Sequence, residues 1–194
     1  MEVWTDYIGT IAKGLEGMVV TDRQGAELSA QDGVARWVAM TRAMYDRDGT
    51  LYIIGNGGSA GMASHMAADA CKNGHLRALA FNDVAMITAT GNDISYDQVF
   101  SLPLERLARP GDLLVTISSS GDSPNIVRAL EARLALGVQA VTLSGKRPDN
   151  RSRTLGDLNF YVPLSRYGWA ESAHQVILHY WFDQYQKAHG QGPA

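Results

Sequence analysis

His65 and Asp69 stand four residues apart in 51-LYIIGNGGSAGMASHMAADACK-72, behind the bare-backbone stretch Gly55-Asn56-Gly57-Gly58-Ser59. Residues four apart on a helix share a face, so the imidazole and the carboxylate are expected to point together at the mouth of the glycine-rich loop. Such a pair can exchange protons with a ligand or help to hold a divalent cation. A second polar cluster, 117-ISSSGDSPNIV-127, sets Ser118, Ser119, Ser120 and Ser123 before a helix opened by Pro124. Hydroxyls and unhindered N–H groups at a helix start converge on an anion, and the helix dipole adds positive potential there. Phosphate is the expected guest. Neither loop has the Gly-Lys-Ser/Thr ending of a nucleotide-binding P-loop or the full dinucleotide fingerprint, so a phosphorylated small metabolite fits better than ATP or NAD.

The elements that must position these residues are legible in the periodicity. Short apolar runs, each closed by small polar residues and followed by a helical pattern, occur at 51–55, 77–81, 112–118, 138–145 and 158–164. Helices are expected near 59–72, 84–90, 98–108, 124–136 and 170–187. That alternation predicts a parallel sheet covered on both faces, with ligands outside the carboxyl ends of its strands, where both polar loops fall. Before it, Trp4, Ile8, Ile11 and Leu15, then Val34, Trp37, Val38 and Met44, recur at helical spacing on either side of the polar stretch 21–33. The organisation expected is one domain over 1–194, with a helical arm (1–48) and an α/β core (49–188).

Composition removes several alternatives. The net charge is −3 with no basic block, which argues against a nucleic-acid partner. No run is long enough to span a bilayer and the start lacks a signal-peptide core, so the expected location is the cytoplasm and no membrane partner is expected. The single cysteine, Cys71, cannot form an internal disulfide, and any metal must be held by His, carboxylates or amides. Tyr180, Trp181, Phe182 and Tyr185 on the last helix face several directions, and together with Trp4 and Trp37 they are expected to be covered by helices of a second subunit.

Five segments, 55-GNGGSAGMASHMAAD-69, 90-TGNDISYDQVFS-101, 111-GDLLVTISSSGDSPNIVRAL-130, 141-VTLSGK-146 and 171-ESAHQVILH-179, together resemble the sugar isomerase (SIS) domain family, and within it the phosphoheptose isomerases. The resemblance implies a three-layer α/β/α SIS fold with a five-stranded parallel flavodoxin-like sheet and extra N-terminal helices. It implies an aldose–ketose isomerase that converts sedoheptulose 7-phosphate to glycero-manno-heptose 7-phosphate through an enediol, as a homotetramer with sites at subunit boundaries. By motif position, Ser118, Ser119, Ser120 and Ser123 would grip the phosphate. Asn56, Gly57, Gly58, Ser59, Asn92 and Asp93 would line the rest of the sugar. Zinc would be held by His65, Asp69, Glu171 and His179, with Asp69 and Glu171 also touching substrate and Asp69 and His179 as the acid–base pair. Asp69 replaces a family Glu, Glu171 replaces a Gln, and Gly168 and Trp169 stand where an Asp and an Arg are frequent. Gln175, one turn before His179, is an alternative ligand to Glu171. Two further readings stay open: a non-catalytic SIS module binding a phosphosugar or a protein such as a replication initiator, and an isomerase of another ketose phosphate.

Overall fold

The computed structural model describes residues 3–190. The chain runs α1 (Trp4–Glu16), β1 (Val19–Asp22), β2 (Glu27–Leu28), α2 (Ala30–Tyr45), β3 (Thr50–Gly55), α3 (Gly58–Lys72), β4 (Arg77–Ala80), α4 (Val84–Asp93), a 3-10 turn (Tyr96–Gln98), α5 (Ser101–Leu107), β5 (Leu113–Ser118), α6 (Pro124–Leu136), β6 (Gln139–Ser144), α7 (Ser152–Leu155), β7 (Leu158–Tyr161) and α8 (Tyr167–Ala188). Helix starts follow local chemistry. Ser29 accepts from the Asp32 amide at the head of α2, Asp83 accepts from the Met86 amide at the head of α4, and Pro124 occupies the first turn of α6. Gly137 ends α6 in the left-handed conformation.

The sheet order is β2-β1-β7-β6-β5-β3-β4. Its five parallel strands, taken alone, follow the flavodoxin-like order 2-1-3-4-5 expected from the resemblance, whose switch point lies between β3 and β5. The sheet exceeds the expected five strands by two. In the polar stretch expected only to separate two helices, β1 and β2 form a hairpin, and β1 adds antiparallel to β7, Val19 opposite Tyr161. Its turn is held by Asp22, whose carboxylate accepts from the Gln24 and Ala26 amides at 2.9 and 3.0 Å. The N-terminal segment is therefore part of the sheet as well as a helical arm.

Strand residues alternate between two cores. Leu51, Ile53, Leu113, Val115 and Ile117 enter the core beneath α2, α3 and α8, while Tyr52, Ile54 and Leu114 enter the one beneath α5 and α6. The aromatic residues expected at a subunit boundary are covered within the chain. Trp37 of α2 stacks on Trp181 of α8 at 4.5 Å between centroids, both fully buried, and Phe182 and Tyr185 are buried beside them. Removing two such large apolar faces from water outweighs leaving them for a partner. Trp4 and Tyr180 stay exposed. No described helix is long and apolar enough to cross a membrane.

Candidate active site

The two polar loops meet at the switch point. Ser118 ends β5 in register between Gly55-Ile117 on one side and Ser144 on the other, so the carboxyl ends of β3, β5 and β6 open together. A cavity of about 260 Å³ there is walled by Asn56, Gly57, Gly58 and Ser59 from the first loop and Ser118, Ser119, Ser120 and Ser123 from the second, with Tyr167 and Glu171 across it. Two of the glycines are required by close approach. A Cβ at Gly55 would stand 2.7 Å from Ser59, and one at Gly121, where φ is +68°, would stand 2.0 Å from the Asn150 side chain. The serine loop is organised by its own hydroxyls: Ser118 Oγ accepts from the Gly121 amide at 3.1 Å, and Ser123 Oγ lies 3.5 and 3.4 Å from the hydroxyls of Ser118 and Ser120.

A pair of amides ties one loop to the other. Asn56 and Asn125 exchange reciprocal hydrogen bonds of 2.9 Å, and the Tyr96 hydroxyl donates to Asn56 at 3.4 Å. Asn125 is buried and was not among the expected site residues, nor was Tyr167. The place of Asn125 directly after Ser123-Pro124, inside the serine motif, was the signal that could have found it. Nothing local marked Tyr167, whose contribution comes from where α8 starts. Asn92 and Asp93 end α4 bonded to each other, exposed, and outside the cavity wall.

His65 and Asp69 do share a face, with Nε2 and Oδ2 3.4 Å apart, but they do not line the loop mouth. They point instead at α8. The His65 and His179 rings are 5.4 Å apart edge to face, and ligand atoms of His65, Asp69 and His179 all lie within 4.8 Å of one another. Helices α3 and α8 both begin at the cavity, so the rise per residue puts this cluster about 10 Å along α3 and about 12 Å along α8 from Glu171. Two imidazoles and a carboxylate, partly exposed, fit a divalent ion with a coordination position left open, and ligand atoms around such an ion sit about 3–3.5 Å apart, within reach of small rotamer changes. Glu171 stands apart from the cluster: its carboxylate faces Gly58 in the cavity. Gln175, which donates to the Met66 sulfur at 3.7 Å, shares an open hollow with His179.

His174 belongs to neither group. It is fully buried and donates from Nε2 to the Ser144 carbonyl at 3.1 Å, and burial pushes its pKa down to about 4, so it is neutral. A larger depression of about 480 Å³ at the amino ends of β3 and β4, lined by Asp46, Asp48, His75 and Arg77, has no phosphate-type loop.

Residues 21–145 match the SIS domain family. A phosphoheptose isomerase of Dechloromonas aromatica is 31% identical over 182 residues, covering 90% of this chain and 92% of that protein. One from Syntrophotalea carbinolica is 33% identical over 174 residues, with 87% of each chain covered. The solved phosphoheptose isomerase of Neisseria gonorrhoeae superposes with a TM-score of 0.80 at 27% identity over 94% of both chains. The match of residues 21–145 to the family, with relatives 31% and 33% identical and one shared architecture over nearly the whole of both chains, places this chain in the SIS domain family, among proteins of the phosphoheptose isomerase type.

Proposed function

We propose that the chain is a sugar-phosphate aldose–ketose isomerase converting sedoheptulose 7-phosphate to D-glycero-D-manno-heptose 7-phosphate. The observation that carries this is the arrangement on α3 and α8: an anion cavity at their starts and a His–Asp–His cluster about 10 Å further along. An extended heptose phosphate has the length to reach from one to the other. Relatives named phosphoheptose isomerase support the same reading.

The serine hydroxyls and the α6 start hold the phosphate, and Asn56, fixed by Asn125, reaches the sugar chain beside Gly57, Gly58, Ser59 and Glu171. Asn92 and Asp93 would join only on closure over the ligand. At the far end, Asp69 and His179 form the acid–base pair. One removes a proton from C1 while the other delivers a proton to the C2 oxygen, giving the enediol. The proton on the C1 hydroxyl then leaves and C2 is reprotonated, which yields the aldose. His65, 3.4 Å from Asp69, orients that carboxylate. A zinc ion held by His65, Asp69 and His179, with Gln175 in place of Glu171 as the fourth protein donor, would supply Lewis acidity for the oxygen that becomes negative. The unit acting is the whole 1–194 chain as one SIS domain, working in the cytoplasm as a homotetramer. Exposed Trp4, Val84, Ile94 and Val176 support helix-on-helix association.

Proton NMR of sedoheptulose 7-phosphate in D₂O with zinc-loaded protein tests the reading. An aldoheptose anomeric signal with deuterium at C2 is expected. No exchange and no new signal from folded protein would sink it.

A further inference from the structure

The serine cavity has an unbalanced electrostatic inventory. Its walls offer hydroxyls, amides and one carboxylate, Glu171, and among the described residues lining it there is no Lys or Arg. A sugar phosphate near neutral pH carries about −1.5 to −2 charges, and a helix end supplies only about half a positive one. Glu171 opposes the same ligand.

A cation is nevertheless held against one wall. The Lys146 ammonium lies 3.3 Å from the centroid of the Tyr167 ring, and Tyr167 faces the cavity. Lys146 follows β6 by two residues, and because Ser144 pairs in register with Ser118, it emerges beside the serine loop. The contact is direct at the preceding residue: a Cβ at Gly145 would stand 3.1 Å from the Ser119 carbonyl. The root of the side chain is fixed. Lys146 has φ of +57°, its amide donates to the Leu164 carbonyl at 3.0 Å, and its carbonyl accepts from the Tyr161 hydroxyl at 3.1 Å. The neighbouring bases are committed elsewhere, Arg147 to Asp149 at 2.7 Å and Arg151 to Glu131 at 2.8 Å.

We infer that Lys146 is the residue that neutralises the phosphate of the ligand, its ammonium resting on the Tyr167 ring and swinging to the phosphate when the cavity fills. A lysine suits this because its compact charge rides on a flexible stem, whereas an aromatic face holds it only weakly in water. The inference rests on the reading of the serine cavity as a phosphate site, and it makes Lys146 a determinant of specificity for phosphorylated over plain sugars.

The test compares the zinc-loaded wild type with Lys146→Met, Lys146→Gln and Lys146→Arg, using inorganic phosphate by calorimetry and turnover of sedoheptulose 7-phosphate and of sedoheptulose. Both neutral variants should raise the phosphate Kd and the KM for sedoheptulose 7-phosphate about tenfold, the size of one charge-assisted contact, and far more than they change kcat. Binding should also lose part of its dependence on salt. The arginine variant should recover most of the loss, and plain sedoheptulose should be handled alike by all. Neutral variants with wild-type phosphate affinity and KM overturn the role of Lys146 alone. Equal losses for sedoheptulose and its phosphate also overturn it, because they mean a structural role. A wild type that binds neither phosphate nor sugar phosphates overturns the phosphate reading of the cavity and this inference together.

Discussion

Glu171 and Gly58 are in such close approach that a Cβ on residue 58 would stand 2.6 Å from Glu171 Oε2. The carboxylate eight residues before His179 is thus engaged in the cavity, away from the cluster that His179 forms with His65 and Asp69.

Zinc affinity therefore separates Glu171 from the cluster. Glu171→Gln should leave the zinc Kd within about threefold, while His65→Ala and His179→Ala should each weaken it by more than about tenfold, since they remove ligands and not merely their support. Competition with a chromophoric chelator reads both. A large loss in Glu171→Gln would return that carboxylate to the metal site.

Gly58→Ala is a complementary change. The obstacle it meets is the far end of a flexible side chain, so the protein should fold with little loss of stability while Glu171 is expelled from the cavity. Turnover of sedoheptulose 7-phosphate should fall at least about tenfold, in keeping with the sensitivity of positioned groups to displacements of about an ångström. Unchanged turnover would make the glycine a matter of packing only.

In the proposed mechanism Asp69 is the side chain on which the chemistry turns. Asp69→Asn removes its capacity to take a proton and should lower kcat about 10²- to 10⁴-fold without unfolding the protein. Asp69→Glu extends the reach by one methylene to the side chain of the phosphoheptose isomerase pattern, and should raise kcat for sedoheptulose 7-phosphate. A decrease would mean that the site is built around the shorter acid.

Gly121 carries the serine loop's shape. With φ of +68° and the Asn150 side chain 2.0 Å from any Cβ, Gly121→Ala meets both backbone strain and a clash. The expected cost is about 3 kcal/mol, a fall in Tm of about 6–12 °C for a chain of this size. Differential scanning calorimetry decides it, and a Tm within roughly 2 °C of the wild type, the range of a neutral substitution, would refute the strain argument.

His174 should make stability depend on pH. Unfolded, it binds a proton near the ordinary imidazole value of 6.5, whereas folded it does so only at about 4, because burial disfavours the cation. Between those values the unfolded chain holds more protons, so stability rises with pH through that window and is lost as pH falls, by up to about 3 kcal/mol in total. Urea unfolding at pH 4.5 and 7 should show this, and His174→Gln should flatten the difference. Equal slopes in the two proteins would assign the pH dependence to other groups.

Much of the molecule was legible in the residues. Strand runs closed by small polar residues located four of the five parallel strands to within a residue, and the fifth run overshot the end of β7 by three, because apolar runs of this length bounded by turn residues have few other uses. The serine and glycine loops were readable because a helix start rich in unhindered N–H groups and hydroxyls is a matter of local backbone and side-chain chemistry. The β1–β2 hairpin was missed because its strands are short and its partner, β7, lies more than a hundred residues away in the chain. The fate of the aromatic residues was missed for a related reason. Helical spacing shows that Trp37 and Trp181 form apolar stripes but not that the two stripes face each other.

The sequence by itself determined the fold class, the two polar loops at strand ends and the one-turn pairing of His65 with Asp69, all of which follow from interactions between residues close in the chain. The resemblance grouped this pair with His179, but only the tertiary structure decided that the three meet away from the loop mouth, that Glu171 turns into the cavity against Gly58, and that Lys146 rests on Tyr167. Those outcomes depend on how α3, α8 and the end of β6 are rotated and set against one another, and that is fixed by the summed packing of two cores, which no local pattern encodes.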